Sequence, residues 1–365
     1  MRFNCPANEL KDALAVVAGA VNDRASLPML ACVLIEASGQ GIRLTGNNLN
    51  MVITHTLHCK VEREGAIGLP LKKLMTAVSS LGAQDVELLA LNDTQARIAS
   101  GDFTYTASGV AAEEMPKVMA RADDFRCEFA TVDLLRALKF LRPIECHNEA
   151  FYNRCGISFL FTADGVELAA INGPGHHFGK ANFACKTTTP VGRKFFLPIY
   201  AADQLRRLDI GEQAIHVAWG EACIHFDFGA TQMTTKLVSA EFPDYTKLLE
   251  RHLKREPFTR VQRSELKELI DRVTVAGTIL GLRASQRGIY LHCRSQESGD
   301  SRDHLPFEQA APDRAEAEIW MEAKYPLGTL SAIDEDEIEV FMETAQPLLI
   351  RTPHCFSLIM GRGAN

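Results

Sequence analysis

No run of apolar residues in the chain approaches the roughly twenty that a helix needs to cross a bilayer. The opening Met1-Arg2-Phe3-Asn4-Cys5-Pro6 lacks the apolar centre of a secretory signal. Both absences lead us to expect a cytoplasmic protein with no membrane partner. The ten cysteines contain no Cys-x-x-Cys pair, and 365 residues can build cores without covalent staples. We therefore expect reduced thiols, mostly buried. Positive charge is in deficit as well: 39 Lys and Arg stand against 46 Asp and Glu, a net charge of −7. That balance excludes a protein that coats nucleic acid with its whole surface, but leaves room for a local basic face.

The signatures of catalysis and metal binding are also missing. There is no Gly-x-Ser-x-Gly elbow, no Walker loop and no Gly-x-Gly-x-x-Gly ahead of a helix. His176-His177 with Cys185, and His292 with Cys293, come nearest to a metal-ligand set. Adjacent histidines cannot both face one ion, and no His-x-x-x-His spacing supports either group. Gly173-Pro174-Gly175 reads as a turn. Asp334-Glu335-Asp336-Glu337 reads as a solvated turn, because it leads into the alternation of Ile338 and Val340. We expect no catalytic residues, no metal and no cofactor.

What the chain does have is internal repetition. Glu241-Phe242-Pro243-Asp244-Tyr245 ends a strand-like run from Thr234. Glu114-Met115-Pro116-Lys117-Val118 has the same form of acid, apolar residue, proline, any residue, apolar residue. Three amphipathic helices follow the same plan. Their apolar stripes are Leu10, Ala13, Leu14, Val17; then Leu134, Ala137, Leu138, Leu141; then Leu266, Leu269, Ile270, Val273. Asn8 reads as the N-cap of the first. Each helix is followed by a matching strand at 41–44, 165–168 and 288–291. A second helix comes near 71–81, 199–208 and 322–332, and it leads into a strand at 86–88, 215–217 and 338–340. Val86, Ile215 and Ile338 lie 129 and then 123 residues apart. Four landmarks in one order predict three similar α+β domains, near 1–125, 126–253 and 254–365. Each holds two helices and mostly antiparallel strands joined by short turns.

The polar faces of those six helices lean basic. Eleven Lys and Arg stand on them against eight Asp and Glu, in a chain that is acidic overall. Such faces suit phosphates, which attract without reading sequence.

The threefold plan, together with particular words, resembles the bacterial DNA polymerase III β subunit, the β sliding clamp. The words are Leu44-Thr45-Gly46-Asn47-Asn48-Leu49-Asn50-Met51, then Gly175-His176, then Lys236-Leu237-Val238 with Phe242-Pro243-Asp244-Tyr245. The likeness runs from Arg2-Phe3 to Leu358-Ile359-Met360. It implies a homodimer joined head to tail, each chain forming half of a six-domain ring around double-stranded DNA. Helices would line the hole and strands the wall. It implies weak, sequence-independent contacts that permit sliding. By position, Arg24, Lys72, Lys73, Asn148 and Tyr152 would meet DNA, and Tyr105 and Ala107 would lie at the dimer contact. Ile199 and Tyr200 stand where the family often has a basic residue.

The resemblance also implies a pocket between the second and third domains. It takes short linear motifs from the DNA polymerase, the clamp loader and repair proteins. The matching positions are Arg154, Gly173, Gly175, His176, His177, Phe178, Pro243, Lys247, Leu248, Tyr325, Leu358, Ile359 and Met360. The chain departs from the pattern there. His177 and Phe178 replace arginine and leucine, and Arg154 replaces an apolar wall. Gly361-Arg362-Gly363-Ala364-Asn365 replaces the usual end of the chain. A divergent clamp with an altered peptide preference is the leading expectation. The alternative is a clamp-like adaptor or decoy that binds replication proteins without closing its own ring.

Overall fold

A computed structural model describes residues 1–365 apart from 40, 83, 209–210, 212–213, 296–298, 308–315 and 363–365. The first stretch runs β1 (Arg2–Pro6), α1 (Ala7–Val17), β2 (Cys32–Ser38), β3 (Gly41–Asn47), β4 (Met51–His58) and β5 (Lys60–Arg63). It continues through β6 (Gly65–Pro70), α2 (Leu71–Ser79), β7 (Asp85–Ala90), β8 (Gln95–Ser100) and β9 (Phe103–Ser108). The second runs β10 (Phe125–Ala130), α3 (Thr131–Leu141), β11 (Gly156–Thr162), β12 (Gly165–Ile171), β13 (His177–Phe183) and β14 (Lys186–Thr187). Then come β15 (Lys194–Pro198), α4 (Ile199–Arg207), β16 (Ala214–Trp219), β17 (Cys223–Asp227) and β18 (Thr231–Lys236). A single helix, α5 (Thr246–Leu253), precedes the third stretch. That stretch runs β19 (Thr259–Gln262), α6 (Arg263–Val273), β20 (Ile279–Ser285), β21 (Gly288–Ser295), β22 (Gly299–Pro306) and β23 (Ala317–Glu322). It ends with α7 (Lys324–Ala332), β24 (Glu337–Phe341), β25 (Leu348–Arg351) and β26 (Cys355–Ile359). One order therefore recurs three times: strand, helix, four strands, helix, three strands. The short β5 and β14 occupy one slot of the first two copies.

The physical cause is the apolar stripes. All twelve stripe residues are buried, so each first helix pays its way into a core. One local expectation fails. Asn8 is not the N-cap of α1; Pro6 is, and no side chain caps it. β1 runs straight into the helix, and the Ala7 amide is held by Gln84 O at 2.9 Å. The first turn thus has a backbone acceptor in place of an Asn side chain.

The chain divides into two compact units. One comprises Met1–Phe129 with Arg207–Leu237, the other Ala130–Arg206 with Val238–Asn365. The first unit has a sheet ordered β5-β1-β7-β8-β9 and another running β10-β16-β17-β18-β4-β3-β2-β6. The second has a sheet ordered β15-β11-β12-β13-β26-β25-β24-β19 and another ordered β22-β21-β20-β23. The pairings from β16 through β6, and those of the other three sheets, are antiparallel. Each copy thus builds one sheet from its first and last three strands and another from its middle four.

The copies are joined by one rule. With strands numbered from the first helix of each copy, the last strand of the second copy, β18, pairs with the third strand of the first, β4, in register Thr231↔His55 to Thr235↔Met51. The last strand of the third copy, β26, pairs with the third strand of the second, β13, in register His177↔Ile359 to Ala181↔Cys355. The same rule leaves two strands at sheet edges: β9, last of the first copy, and β22, third of the last. No described helix is long and apolar enough to cross a membrane.

Candidate functional site

The β13–β26 joint gathers most of the expected pocket. Side chains alternate along β13, so Phe178 and His177 face opposite sides of the sheet. Phe178 is buried in an apolar cluster with Phe196, Phe242, Phe341, Phe356 and Leu358, against which Tyr245 and Leu248 pack. The turn at Pro243 folds Phe242 and Tyr245 back onto the sheet. The Phe242 ring lies 5.4 Å from Phe196, and Tyr245 lies 5.0 Å from Phe178. The Tyr245 hydroxyl donates to Glu167 Oε1 at 2.8 Å, and Lys180 Nζ donates to Glu167 Oε2. Burial, then the neighbouring Glu167 carboxylate, pushes the Tyr245 hydroxyl above its ordinary range, so it stays a neutral donor.

The rim is backbone-held. The Met360 amide donates to His176 O at 2.8 Å. Gly175 N donates to Asn172 O at 2.9 Å, closing the turn before His176. Gly175 sits at φ +81°, where a side chain would be strained. The Arg154 guanidinium donates to Gly173 O and stacks over Phe151, 5.5 Å from its centroid. His176 and Lys247 are exposed, Pro243 and Leu248 half-buried, and Ile359 buried. Arg362 N donates to Trp320 O at 2.7 Å, laying the tail along β23. Gly363, Ala364 and Asn365 lie outside the described residues.

His177 is different. Its side chain is 0% exposed and faces away from the Phe178 cluster. Its Nε2 lies 2.9 Å from Ser357 Oγ and 3.1 Å from Thr329 Oγ1, and those two hydroxyls are 3.0 Å apart. Tyr325 presents its ring edgewise to the imidazole at 5.4 Å. Burial lowers the His177 pKa to about 3, so the ring is neutral. The residue works as an internal fastener between β13, β26 and α7, and Tyr325 belongs with it.

The basic faces look different from their sequence count. Lys139 Nζ and Arg136 Nε pair with Asp334, at 2.5 and 3.9 Å. The acidic run at 334–337 is therefore a counter-charge rather than a free solvated turn. Arg206 is 9% exposed, pairs with buried Glu145 and donates to Leu138 O at 2.8 Å. It fastens α4 to α3 and is not presented to solvent. Lys267, Arg272 and Lys324 pair with Asp271, Asp303 and Glu322. Of the expected DNA contacts in the first unit, Arg24 is exposed on the loop after α1, while Lys72 and Lys73 open α2. Lys72 Nζ lies 3.7 Å from Asp23, which draws the start of α2 toward that loop. In the second unit, Asn148 accepts from the Ala150 amide at 3.0 Å, and Tyr152 is 68% exposed. Asn148 thus caps the short turn that carries Tyr152. Among the described residues, Lys11, Lys73 and Arg142 form no ion pair.

At the sheet edges, β9 places Tyr105 half-buried and Ala107 buried, with Phe103 37% exposed. The edge β22 carries Asp300, Arg302 and His304 outward. Among the described residues no group of three or more His, Cys, Asp and Glu is placed to hold a metal ion.

Known proteins share this arrangement. Residues 1–119 match the family model for the DNA polymerase III beta subunit, N-terminal domain. The Beta sliding clamp of Synechococcus elongatus is 25% identical over 97% of this chain and 96% of its own. That of Pseudomonas putida is 23% identical over 94% of this chain and 93% of its own. These likenesses support a divergent relative of the DNA polymerase III beta subunits. The fold agrees over the full length. The crystal structure of the Pseudomonas aeruginosa sliding clamp bound to griselimycin superposes with a TM-score of 0.91 at 20% identity, covering 100% of this chain and 99% of that one. The Bacillus subtilis sliding clamp gives 0.89 at 21% identity, covering 100% of both.

Sequence reasoning missed α5 and the Tyr245–Glu167–Lys180 group. The signal for α5 was present. Tyr245, Leu248, Leu249 and His252 stand at i, i+3, i+4 and i+7, and His252, though buried, reads as polar.

Proposed function

We propose that two copies of this chain close into a ring around duplex DNA and tether other proteins to it. The observation that carries the reading is the repeated joint. Two of the joints that a ring of six domains needs lie inside the chain, and both pair a last strand with a third strand. The edges β9 and β22 are the two halves of one more such joint. Two chains offering both edges head to tail complete it twice, leaving neither strand open. Tyr105 and Ala107 then lie at the contact, and the domains divide near 125 and 253.

The Phe178 cluster supports a peptide pocket. Buried aromatic rings under a rim of backbone turns suit an apolar anchor from a short linear motif of a polymerase, a clamp loader or a repair protein. Exposed Arg24, Lys73, Asn148 and Tyr152 suit passing contacts to phosphates. The role is tethering, with no chemical step.

The test is topological. Labelled protein is loaded by a clamp loader onto nicked circular plasmid and passed over a sizing column in high salt. It should co-elute with the circle and leave when one restriction cut makes the DNA linear. Retention that survives linearisation, or failure to self-associate at any concentration, overturns the ring and favours an adaptor that does not encircle DNA.

A further inference from the structure

Beside the Phe178 cluster lies a cleft that the reading above does not use. Its volume is about 620 Å³, within the range of ligand-binding clefts. α5 and β24 connect the two places. Leu249 and Phe341 stand in the apolar cluster, and Arg251 and Met342, close after them in the chain, line the cleft. Its floor is apolar, from buried Phe258 and Met342. Its rim is basic, from exposed Arg251 and Lys254.

Arg255 is the informative residue. It lines the cleft although its side chain is only 7% exposed. Its Nε donates to Glu343 Oε1 at 3.1 Å and its Nη1 to Pro347 O at 3.0 Å. Buried His252, held neutral by desolvation, brings Nδ1 within 3.5 Å of the same Nη1. The remaining nitrogen, Nη2, is buried and has no hydrogen-bond partner among the described residues. A guanidinium satisfied at Nε and Nη1 leaves Nη2 short of an acceptor, which a carboxylate entering beside it would supply. Leaving that donor unmade is unfavourable, so a ligand that completes it gains.

We propose that this cleft receives an acidic segment of a partner polypeptide, a carboxylate side chain next to an apolar one. The carboxylate completes Arg255 with Arg251 and Lys254 beside it, and the apolar neighbour covers Phe258 and Met342. Nucleic acid suits the cleft less well, because phosphates would face Glu256 and Glu343 in its lining and leave the apolar floor uncovered. The proposal rests on the pocket reading in one respect: continuity along α5 makes the segment a flank of the same polypeptide that anchors on the Phe178 cluster.

The experiment uses the full chain and two fluorescein-labelled synthetic peptides, read by anisotropy. Both carry a Leu-Phe anchor and a Gly-Ser spacer; one adds Asp-Glu-Phe, the other Asn-Gln-Phe. The acidic peptide should bind about tenfold more tightly than the neutral one. The double variant Arg251→Ser/Lys254→Ser, whose side chains are exposed, should shrink that advantage about threefold, leaving the part that Arg255 supplies, and leave the neutral peptide unaffected. Equal binding of the two peptides, or an advantage unchanged by the double variant, overturns the cleft proposal while the pocket stands. An acidic advantage without measurable binding of the neutral peptide supports the cleft and counts against the pocket. Binding of neither overturns both. Displacement of the acidic peptide by a short DNA duplex, abolished in the double variant, makes the cleft a phosphate site and also overturns the proposal.

Discussion

His177 shows how far one side chain can stand from its sequence reading. It occupies a position expected to touch a peptide, yet it bonds only inward to Ser357 and Thr329. Two adjacent histidines cannot share a face on a strand, so one of the pair had to turn inside; the sequence does not say which partners would receive it. The pH consequence has a definite sign. Burial holds the folded pKa at about 3, and the unfolded ring titrates at its ordinary value of 6.5. Between those limits the unfolded state binds more protons, so stability is full above pH 6.5 and falls as pH drops toward 3. The slope from this one group is at most about 1.4 kcal/mol per pH unit. Half-buried His55 and buried His225 and His252 are lowered the same way and add slope of the same sign. His177→Gln should therefore lose less stability between pH 7 and pH 5 than the parent. Urea melts at the two pH values measure this, and an unchanged difference would show that His177 is not a main source of acid lability. Arg206 carries a related lesson. An arginine on a helix reads as solvent-facing, but Glu145, in the segment after α3 and 61 residues earlier, gives it a buried partner that no periodicity announces.

At the scale of elements, the sequence was legible where burial is periodic. The three first helices and the strands at 86–88, 215–217 and 338–340 fall inside the observed α1, α3, α6, β7, β16 and β24, and the second helices expected at 71–81, 199–208 and 322–332 overlap α2, α4 and α7 but overrun them by one or two residues at an end. Stripe spacing reports a helix because the same face must be buried at every turn. Which strand pairs with which is another matter. The pairings of β4 with β18 and of β13 with β26 join segments far apart in the chain, and alternation alone carries no address for a partner. The edge strands make a prediction at this scale. Phe103 is exposed on β9, so Phe103→Glu should leave the fold intact while placing a charge in the proposed contact. Sedimentation velocity should then find monomer at concentrations where the parent is a dimer, with an unchanged circular dichroism spectrum. A variant that still dimerises would remove β9 from the interface.

For the whole molecule, net charge and local charge separate. Much of the basic surface counted along the helices is already committed to Asp334, Asp271, Asp303, Glu322 and Glu145. What remains for phosphates is sparse, and sparse contacts suit a protein that must let DNA pass. Arg24→Glu with Lys73→Glu should weaken binding to linear duplex in low salt and flatten its salt dependence by about two contacts. Lys267→Ser, whose lysine already has Asp271, should change neither. Filter binding across a salt series distinguishes them, and equal effects from the two variants would mean that pairing does not govern which cations reach DNA.

The joint between copies is antiparallel strand to strand, yet it is not symmetric: a last strand always meets a third strand. The chain therefore has a front and a back in the way an arrow does. A ring assembled by continuing that rule would inherit the direction, so its two faces would differ and both chains would present the Phe178 cluster toward the same one. Threaded on a duplex whose strands run oppositely, such a ring can be mounted in two distinguishable ways. Whatever places it on DNA also decides which way its partners point.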